Sequence, residues 1–309
     1  MTDTTVSSHR IDAGNVIGAL FAFTATFAFS AKAILVKLAY VHPVDAVTLL
    51  TLRMLFSFPF FLAAAAWSHR NAGGTPLKKR DGVQLGILGF LGFYLASLLD
   101  FMGLTYLSAS LERLIVFLYP TLVILLGALF LRKRITASAI LALIVSYAGI
   151  LLVFAKDVTM EQPHLWVGAG LVFGSTLAYA AYLTGCEEMI TRLGPVRFTA
   201  YAMTLSSLMV AIHFFLIHPA ADLAGQPRPV YALSFLMAIF STVLPAFLLS
   251  TGIRKIGAAK ASMIGSLGPV FTIVMAYFLL GESTSGDQII GALLVLAGVA
   301  LSSVRQGGW

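Results

Sequence analysis

Residues 105–154 read TYLSASLERLIVFLYPTLVILLGALFLRKRITASAILALIVSYAGILLVF, and the pattern returns over residues 254–303. With Pro120 aligned on Pro269, an offset of 149 (269 − 120), Ala109, Ile115, Leu118, Ile124, Leu131, Ile140, Ala148, Gly149 and Leu152 meet Ala258, Ile264, Leu267, Ile273, Leu280, Ile289, Ala297, Gly298 and Leu301. Roughly a fifth of the stretch is identical. Each copy has an apolar segment with a proline in its middle, a polar break (RKRITAS or GESTSG) and a second apolar segment ending near a glycine. That is a helical hairpin written twice. Near an offset of 150, Gly18, Ala19, Phe23, Thr26, Ala28 and Ala31 match Gly168, Ala169, Phe173, Thr176, Ala178 and Ala181 in the same order, so the duplication extends upstream.

Of the 309 residues, 59% are hydrophobic and 11% charged, with a mean hydropathy of +0.93; soluble domains carry about 25% charged residues. So few polar groups cannot cover a soluble fold. The apolar runs are long and rarely alternate with polar residues, which makes them membrane helices rather than barrel strands. The single Cys186 excludes an intramolecular disulfide and a zinc site of several thiolates. The net charge of +7 resides in short basic connections rather than a basic domain, a pattern of membrane topology and not of nucleic-acid binding.

Residues 1–13 are polar and read as a disordered cytoplasmic tail. The run Asn15–Ala31 has a signal-peptide look, with Ala28 and Ser30 resembling a cleavage site, but little positive charge precedes it and its repeat partner near Trp166 lies mid-chain. It is read as a retained first helix. Membrane-length segments are predicted at 15–38, 45–67, 83–106, 108–131, 135–155, 165–186, 196–217, 231–253, 258–280 and 286–305. The expectation is an all-α integral membrane protein of ten transmembrane helices, five in a first repeat (14–155) and five in a second (165–305). Because five is odd, the second repeat enters the membrane from the opposite side. Basic residues follow helix two (Arg70, Lys78, Lys79, Arg80), helix four (Arg132, Lys133, Arg134) and helix eight (Arg254, Lys255, Lys260), whereas Asp45, Asp157, Glu161, Asp222, Glu282 and Asp287 fall on the other side. Both termini are therefore expected in the cytoplasm.

The paired five-helix halves, the prolines of helices four and nine and the GES…Gly291…Gly298 ending resemble the EamA type of the drug/metabolite transporter superfamily over nearly the whole chain. The resemblance implies a bacterial inner-membrane carrier that exports amino acids and related metabolites. One departure stands out: Arg132 and Lys133 occupy the positions of Gly281 and Glu282.

Ionisable residues inside a membrane are costly and so are candidates for function. Lys32, Lys37, Arg53, Asp100, Glu112 and Arg113 all belong to the first repeat and, counted by helical rise, to the outer half of the membrane. Their partners in the second repeat include Tyr182, Glu187, Leu205, Leu249, Ala261 and Ser262, so the repeat is electrostatically asymmetric. Lys32 shares a small-residue face with Gly18, Ala25 and Ala28 and is read as interior; Lys37, about 140° away, is read as a boundary anchor. Asp100 shares the phase of Gly82, Gly89 and Ala96; it is either an ion-pair partner of Lys32 or Arg53 or a participant in transport. Glu112 is either a site carboxylate for an amine or proton, or a helix-start carboxylate; Arg113 is read as interfacial. Pro120 and Pro269 predict kinks near mid-membrane. Tyr94, Tyr119, Tyr147, Tyr179 and Tyr182 are cavity-lining candidates that also suit packing.

The leading reading is a secondary carrier for a small polar or amphipathic metabolite, working by alternating access, with Lys32 or Arg53 attracting a carboxylate and Asp100 or Glu112 serving an amine or a coupling proton. There is no nucleotide-binding loop, and no cofactor or metal is expected. The rival is a membrane-embedded enzyme on a lipid-soluble substrate, but the chain has no HExxH and no aspartate-rich pair, and His42 and Asp45 look like a turn. A receptor has no need of inverted halves.

Overall fold

The computed structural model describes residues 13–71, 77–131, 164–256, 267–282 and 286–304, with a few further positions between 140 and 152 and at 264–265. Among them the fold is entirely helical. In order come α1 (Ala13–Ala39), α2 (Ala46–Asn71), α3 (Lys79–Gly89), α4 (Ala96–Gly103), α5 (Ala109–Val116), α6 (Tyr119–Leu131), α7 (Leu165–Leu193), α8 (Pro195–Ile217), the short α9 (Ala220–Ala224), α10 (Arg228–Ala238), α11 (Leu244–Ile256), α12 (Gly268–Met275) and α13 (Gly286–Val304). A π-helical turn, Phe90–Leu95, fuses α3 to α4; another, Ile239–Val243, fuses α10 to α11; a third, Ala276–Leu280, continues α12. Seven of the resulting helices are long and apolar enough to cross a membrane, and Gly268–Leu280 and Ile289–Gly298 are shorter apolar helices. The tail expected over 1–13 lies outside the described residues except for Ala13, which starts α1, and the helix expected over 135–155 lies largely outside them.

Two local differences from the sequence reading have simple causes. The sixth segment does not end at residue 186 but runs to Leu193, where Gly194 takes φ +80° and Pro195 opens α8. A glycine in a conformation that a Cβ disfavours, followed by a proline whose missing N–H the first helical turn does not need, stops one helix and starts the next. The supposed loop is therefore helix, and Arg192 on it pairs with Asp81 of α3. The other difference is the break between α5 and α6 at Phe117 and Leu118: Pro120 falls in the first turn of α6, and Pro269 in the first turn of α12. Each proline stands in the first turn of the helix that follows, and at Pro120 the interruption falls within the single apolar span Ala109–Phe130.

The helices pack in matched pairs. α1 lies against α11 and α12, while α7 lies against α4, α5 and α6; α2 packs on α8, and α5 on α12. Backbones approach closely at two glycine pairs. A Cβ added to Gly252 would lie 3.1 Å from the Gly18 carbonyl oxygen, and one added to Gly103 would lie 3.1 Å from the Gly168 carbonyl oxygen. Gly103 and Gly252 are 149 residues apart, and Gly18 and Gly168 are 150 apart, so the repeat offset relates the two contacts with partners exchanged. Without a hydrophobic drive between helices in lipid, such close packing is a main source of association. Two of the three π-helical turns obey the same offset, starting at Phe90 and Ile239.

One end of the bundle gathers the connections after α1, α4 and α8. Asp45 caps α2 there, accepting from the Val47 and Thr48 amides at 2.9 and 3.0 Å and from the Thr48 hydroxyl at 2.5 Å, and faces His218 at 3.6 Å. Burial works against the Asp45 charge, but the Thr48 hydroxyl and the two amides outweigh it and hold the carboxyl below its usual range. This is called the Asp45 end below.

Valine at Gly103 or Gly252 would force the facing backbone away, at about 1–3 kcal/mol each. Thermal unfolding of the purified protein should register comparable losses for Gly103→Val and Gly252→Val, because the two contacts share one geometry; two neutral substitutions would contradict it.

Candidate functional site

The site begins at the start of α5, near the Asp45 end. Ser108 is its N-cap, its hydroxyl accepting from the Leu111 amide at 3.2 Å and its carbonyl from the Glu112 amide at 3.0 Å. The remaining early amides are taken by a residue far along the chain. Glu282 accepts from the Ala109 amide at 2.8 Å, and its other oxygen accepts from the Ser110 amide at 3.3 Å and the Ser110 hydroxyl at 2.7 Å. The amides of Ala109, Ser110 and Leu111, which have no acceptor within the helix, are thereby paired, as suits a site where water is scarce. Glu112 is thus free of the capping task that its position suggested.

Glu112 instead turns inward and is fully buried. Its Oε1 lies 3.4 Å from Lys32 Nζ on α1, and the same ammonium lies 2.6 Å from Asp100 Oδ2 on α4. Asp100 is buried as well, while the Lys32 side chain keeps 18% of its exposure. One ammonium therefore serves two buried carboxylates. The other Glu112 oxygen, Oε2, has no donor among the described residues, and the Glu112 and Asp100 carboxyls are near enough to hydrogen-bond each other when one carries a proton.

Arg53 on α2 stands next to this triad without joining it. Its Nη2 donates to Ser97 Oγ at 3.0 Å, its guanidinium carbon sits 4.8 Å from the Phe101 ring centre, and its buried Nε has no partner among the described residues. Of the two cations considered for Asp100, the structure pairs it with Lys32. Asp100 does not keep the phase of Gly82 and Gly89, because the π-helical turn Phe90–Leu95 inserts an extra residue between them and Asp100. Gly89 meets the α8 backbone at Ala202, Gly82 has nothing within 4 Å of an added Cβ, and Asp100 points to α1.

Arg113 requires a correction: it is not interfacial. Its side chain is buried, with Nε donating to Thr272 Oγ1 at 3.0 Å and Nη2 to the Phe29 carbonyl at 2.9 Å. α5 is only two turns long and wedged between α1 and α12, so a long side chain on it reaches its neighbours rather than the lipid boundary. Lys37 donates to the Leu104 and Leu107 carbonyls at 3.2 and 3.0 Å, tying the end of α1 to the α4–α5 connection.

The tyrosines divide. Tyr94, in the first π-helical turn, hydrogen-bonds His213 Nδ1 at 2.9 Å. His213 is an intramembrane titratable residue that the sequence reading passed over, although its place inside an apolar run of α8 was signal enough. Tyr119, Tyr179 and Tyr182 form a chain of ring contacts at 5.5 and 5.7 Å that continues to Phe93 and Phe198. Tyr147 packs beside them in the core around Leu111 and Leu114. Tyr182 is the repeat partner of Lys32, so where one half has a charge the other has an aromatic cluster.

A bundle of membrane-length helices around buried, partly unpaired charges defines a multi-pass membrane protein with a polar centre, the architecture of solute carriers. The chain belongs to the EamA-like transporter family, whose pattern it matches twice, over residues 16–155 and 166–304. It is 28% identical over 298 residues to the uncharacterized transporter YcbK of Bacillus subtilis (strain 168), covering 94% of this chain and 95% of that one. An uncharacterized transporter of Archaeoglobus fulgidus is 28% identical over 228 residues, 73% of this chain and 79% of the other. A crystal structure of another protein shares the fold, with a TM-score of 0.65 at 15% identity over 93% of this chain and 98% of that one. The protein is a membrane transporter.

Stranding a buried charge by removing its partner costs roughly 3–5 kcal/mol, whereas removing both can be nearly neutral. Lys32→Met leaves two carboxylates uncompensated and should lower thermal stability more than Asp100→Asn, which leaves Lys32 its Glu112. Adding Asp100→Asn to Lys32→Met should recover most of the loss. Adding Arg53→Gln to Asp100→Asn should recover none, and recovery there would reassign the pair.

Proposed function

We propose that the protein is a secondary carrier that exports small zwitterionic metabolites, amino acids and their relatives, by alternating access. Supporting this reading is the pair of unsatisfied atoms beside the Lys32–Asp100 ion pair. Arg53 Nε is a buried donor without an acceptor, and Glu112 Oε2 a buried acceptor without a donor. A buried polar atom left unpaired is costly, so each is a place for a ligand group. A carboxylate complements Arg53 and a primary ammonium complements Glu112, and one small molecule with both satisfies the two together. With the site empty of substrate, a proton on Glu112 meets the same need, which makes exchange of a proton for the substrate ammonium the coupling step.

In this reading the chain is two five-helix units, 14–155 and 165–305, ten transmembrane helices in all and inverted with respect to each other. Substrate binds between them, and the two units rock about the paired glycine contacts. The Asp45 end faces outward, since Lys78, Lys79, Arg80, Arg254 and Lys255 belong to the connections of the other end. Both termini are then cytoplasmic and the membrane is the bacterial inner membrane. No cofactor and no catalytic step is involved.

Counterflow in proteoliposomes tests the function. Vesicles loaded with an excess of one unlabelled amino acid should transiently accumulate the labelled form, and a panel of zwitterionic amino acids should contain at least one responder. Arg53→Gln and Glu112→Gln should each reduce the exchange at least tenfold at normal abundance; chemical conversion of the solute, or no exchange across the panel, would reject the reading. Reporter fusions give an independent test of orientation, with a cytoplasm-active enzyme expected to work at Trp309 and to be silent near Asp222.

A further inference from the structure

The bond between Glu282 and the start of α5 joins residues 172 and 173 positions apart, and it is made by a device that only one half of the duplicated sequence possesses. Gly281 ends the α12 helix with φ +67°, a conformation suited to glycine. That reversal presents Glu282, whose two oxygens grip three donors of α5. A carboxylate on a helix start adds charge–dipole attraction to hydrogen bonding. In the first half the matching positions hold Arg132 and Lys133. Neither supplies a glycine for the turn, and neither side chain has an oxygen to accept from an amide.

The grip lies close to the charged triad. α5 carries Glu112 only three residues beyond Ala109, about 4.5 Å along the helix, and Glu112 is fully buried while the grip is made. Lys37 adds a tie at the same end through the Leu104 and Leu107 carbonyls. Beyond these ties is an open cavity of about 430 Å³, lined by Lys37, Tyr40, Val41, Val44 and Thr105. Nothing in the sequence provides the same device for the opposite end.

We propose that Glu282 is the latch of the gate at the Asp45 end and that, lacking a counterpart, it biases the resting carrier toward closure on that side. This rests on the alternating-access reading above. Breaking the latch shifts the population between two states instead of loosening the bundle, so access must rise at one end and fall at the other.

Single cysteines in a Cys186→Ser background read this directly. Val116→Cys lies one turn beyond Glu112 into the bundle, and Gly265→Cys takes the matching place in the second half, where an added Cβ meets nothing within 4 Å. With a membrane-impermeant maleimide on oriented vesicles, Glu282→Gln should raise labelling of Val116→Cys from the Asp45 end about tenfold, the equivalent of ~1.4 kcal/mol. It should lower labelling of Gly265→Cys from the opposite end. Ser110→Ala, which removes one of the three bonds, should give a smaller shift of the same sign. No change at Val116→Cys in either variant, or an increase at both cysteines together, would overturn the latch. Wild-type counterflow on the same preparations separates the two proposals: active exchange with unresponsive labelling removes the latch alone, whereas reciprocal labelling without exchange of any amino acid supports the latch and removes the substrate reading.

Discussion

The close approach of backbones at Gly18 and Gly252, and again at Gly168 and Gly103, is the constraint on which the arrangement depends. In lipid an apolar side chain gains little by leaving one hydrocarbon surface for another, so helices associate where their backbones fit. Here the fit is made twice with exchanged partners, α1 against the far end of the chain and α7 against α4. That exchange gives the molecule an approximate two-fold relation, and it locates a region where the relation fails. Between the glycine contacts, the side with Lys32, Asp100 and Glu112 is charged, and its repeat-related positions are Tyr182, Leu249 and Ala261. A duplicated scaffold thus carries this charged centre in its first half without a matching one at the repeat-related positions.

Burying that centre is expensive, and the structure shows how the cost is limited. Lys32 stands between two carboxylates and satisfies both partly, and Arg113 finds a hydroxyl and a carbonyl. Fully paired charges would resist a ligand, because any new partner would have to displace an old one. The two open valences, on Arg53 and Glu112, are what the proposed substrate site rests on.

Much of this was legible in the sequence. The duplication shows because proline, glycine and small residues sit at fixed places, and intramembrane charges announce themselves by their cost, which drew attention to Lys32, Arg53, Asp100 and Glu112. Their pairing was legible only as a choice, Lys32 or Arg53 for Asp100, and the place of Glu112 beside the same ammonium was not foreseen. Phase counting assumes 3.6 residues per turn, and the π-helical turn at Phe90–Leu95, which has no composition of its own, rotates everything after it. Arg113 was misplaced because the break at Phe117 and Leu118, which makes α5 a short wedge, is encoded by a proline two residues later and resembles an ordinary kink. Glu282 was visible as a departure from the repeat, but its partner amides belong to backbone 172 residues away, which no local pattern reveals.

The π-helical turns carry the last step. They start at Phe90 and Ile239, at the same offset as Gly103 and Gly252, so each lies just ahead of the glycine that touches the other half. A wide turn has poorer hydrogen bonding than the α-helix on either side and is a natural place for a helix to bend. In the proposed alternating-access cycle, such a turn would let the glycine contact stay fixed while the rest of the helix changes direction, and the duplication supplies one matched joint of this kind to each half. Symmetric joints alone would leave the two end states equivalent. The difference between them must come from groups that break the repeat, and at the Asp45 end those groups are the ammonium of Lys32 inside and the carboxylate of Glu282 at the rim.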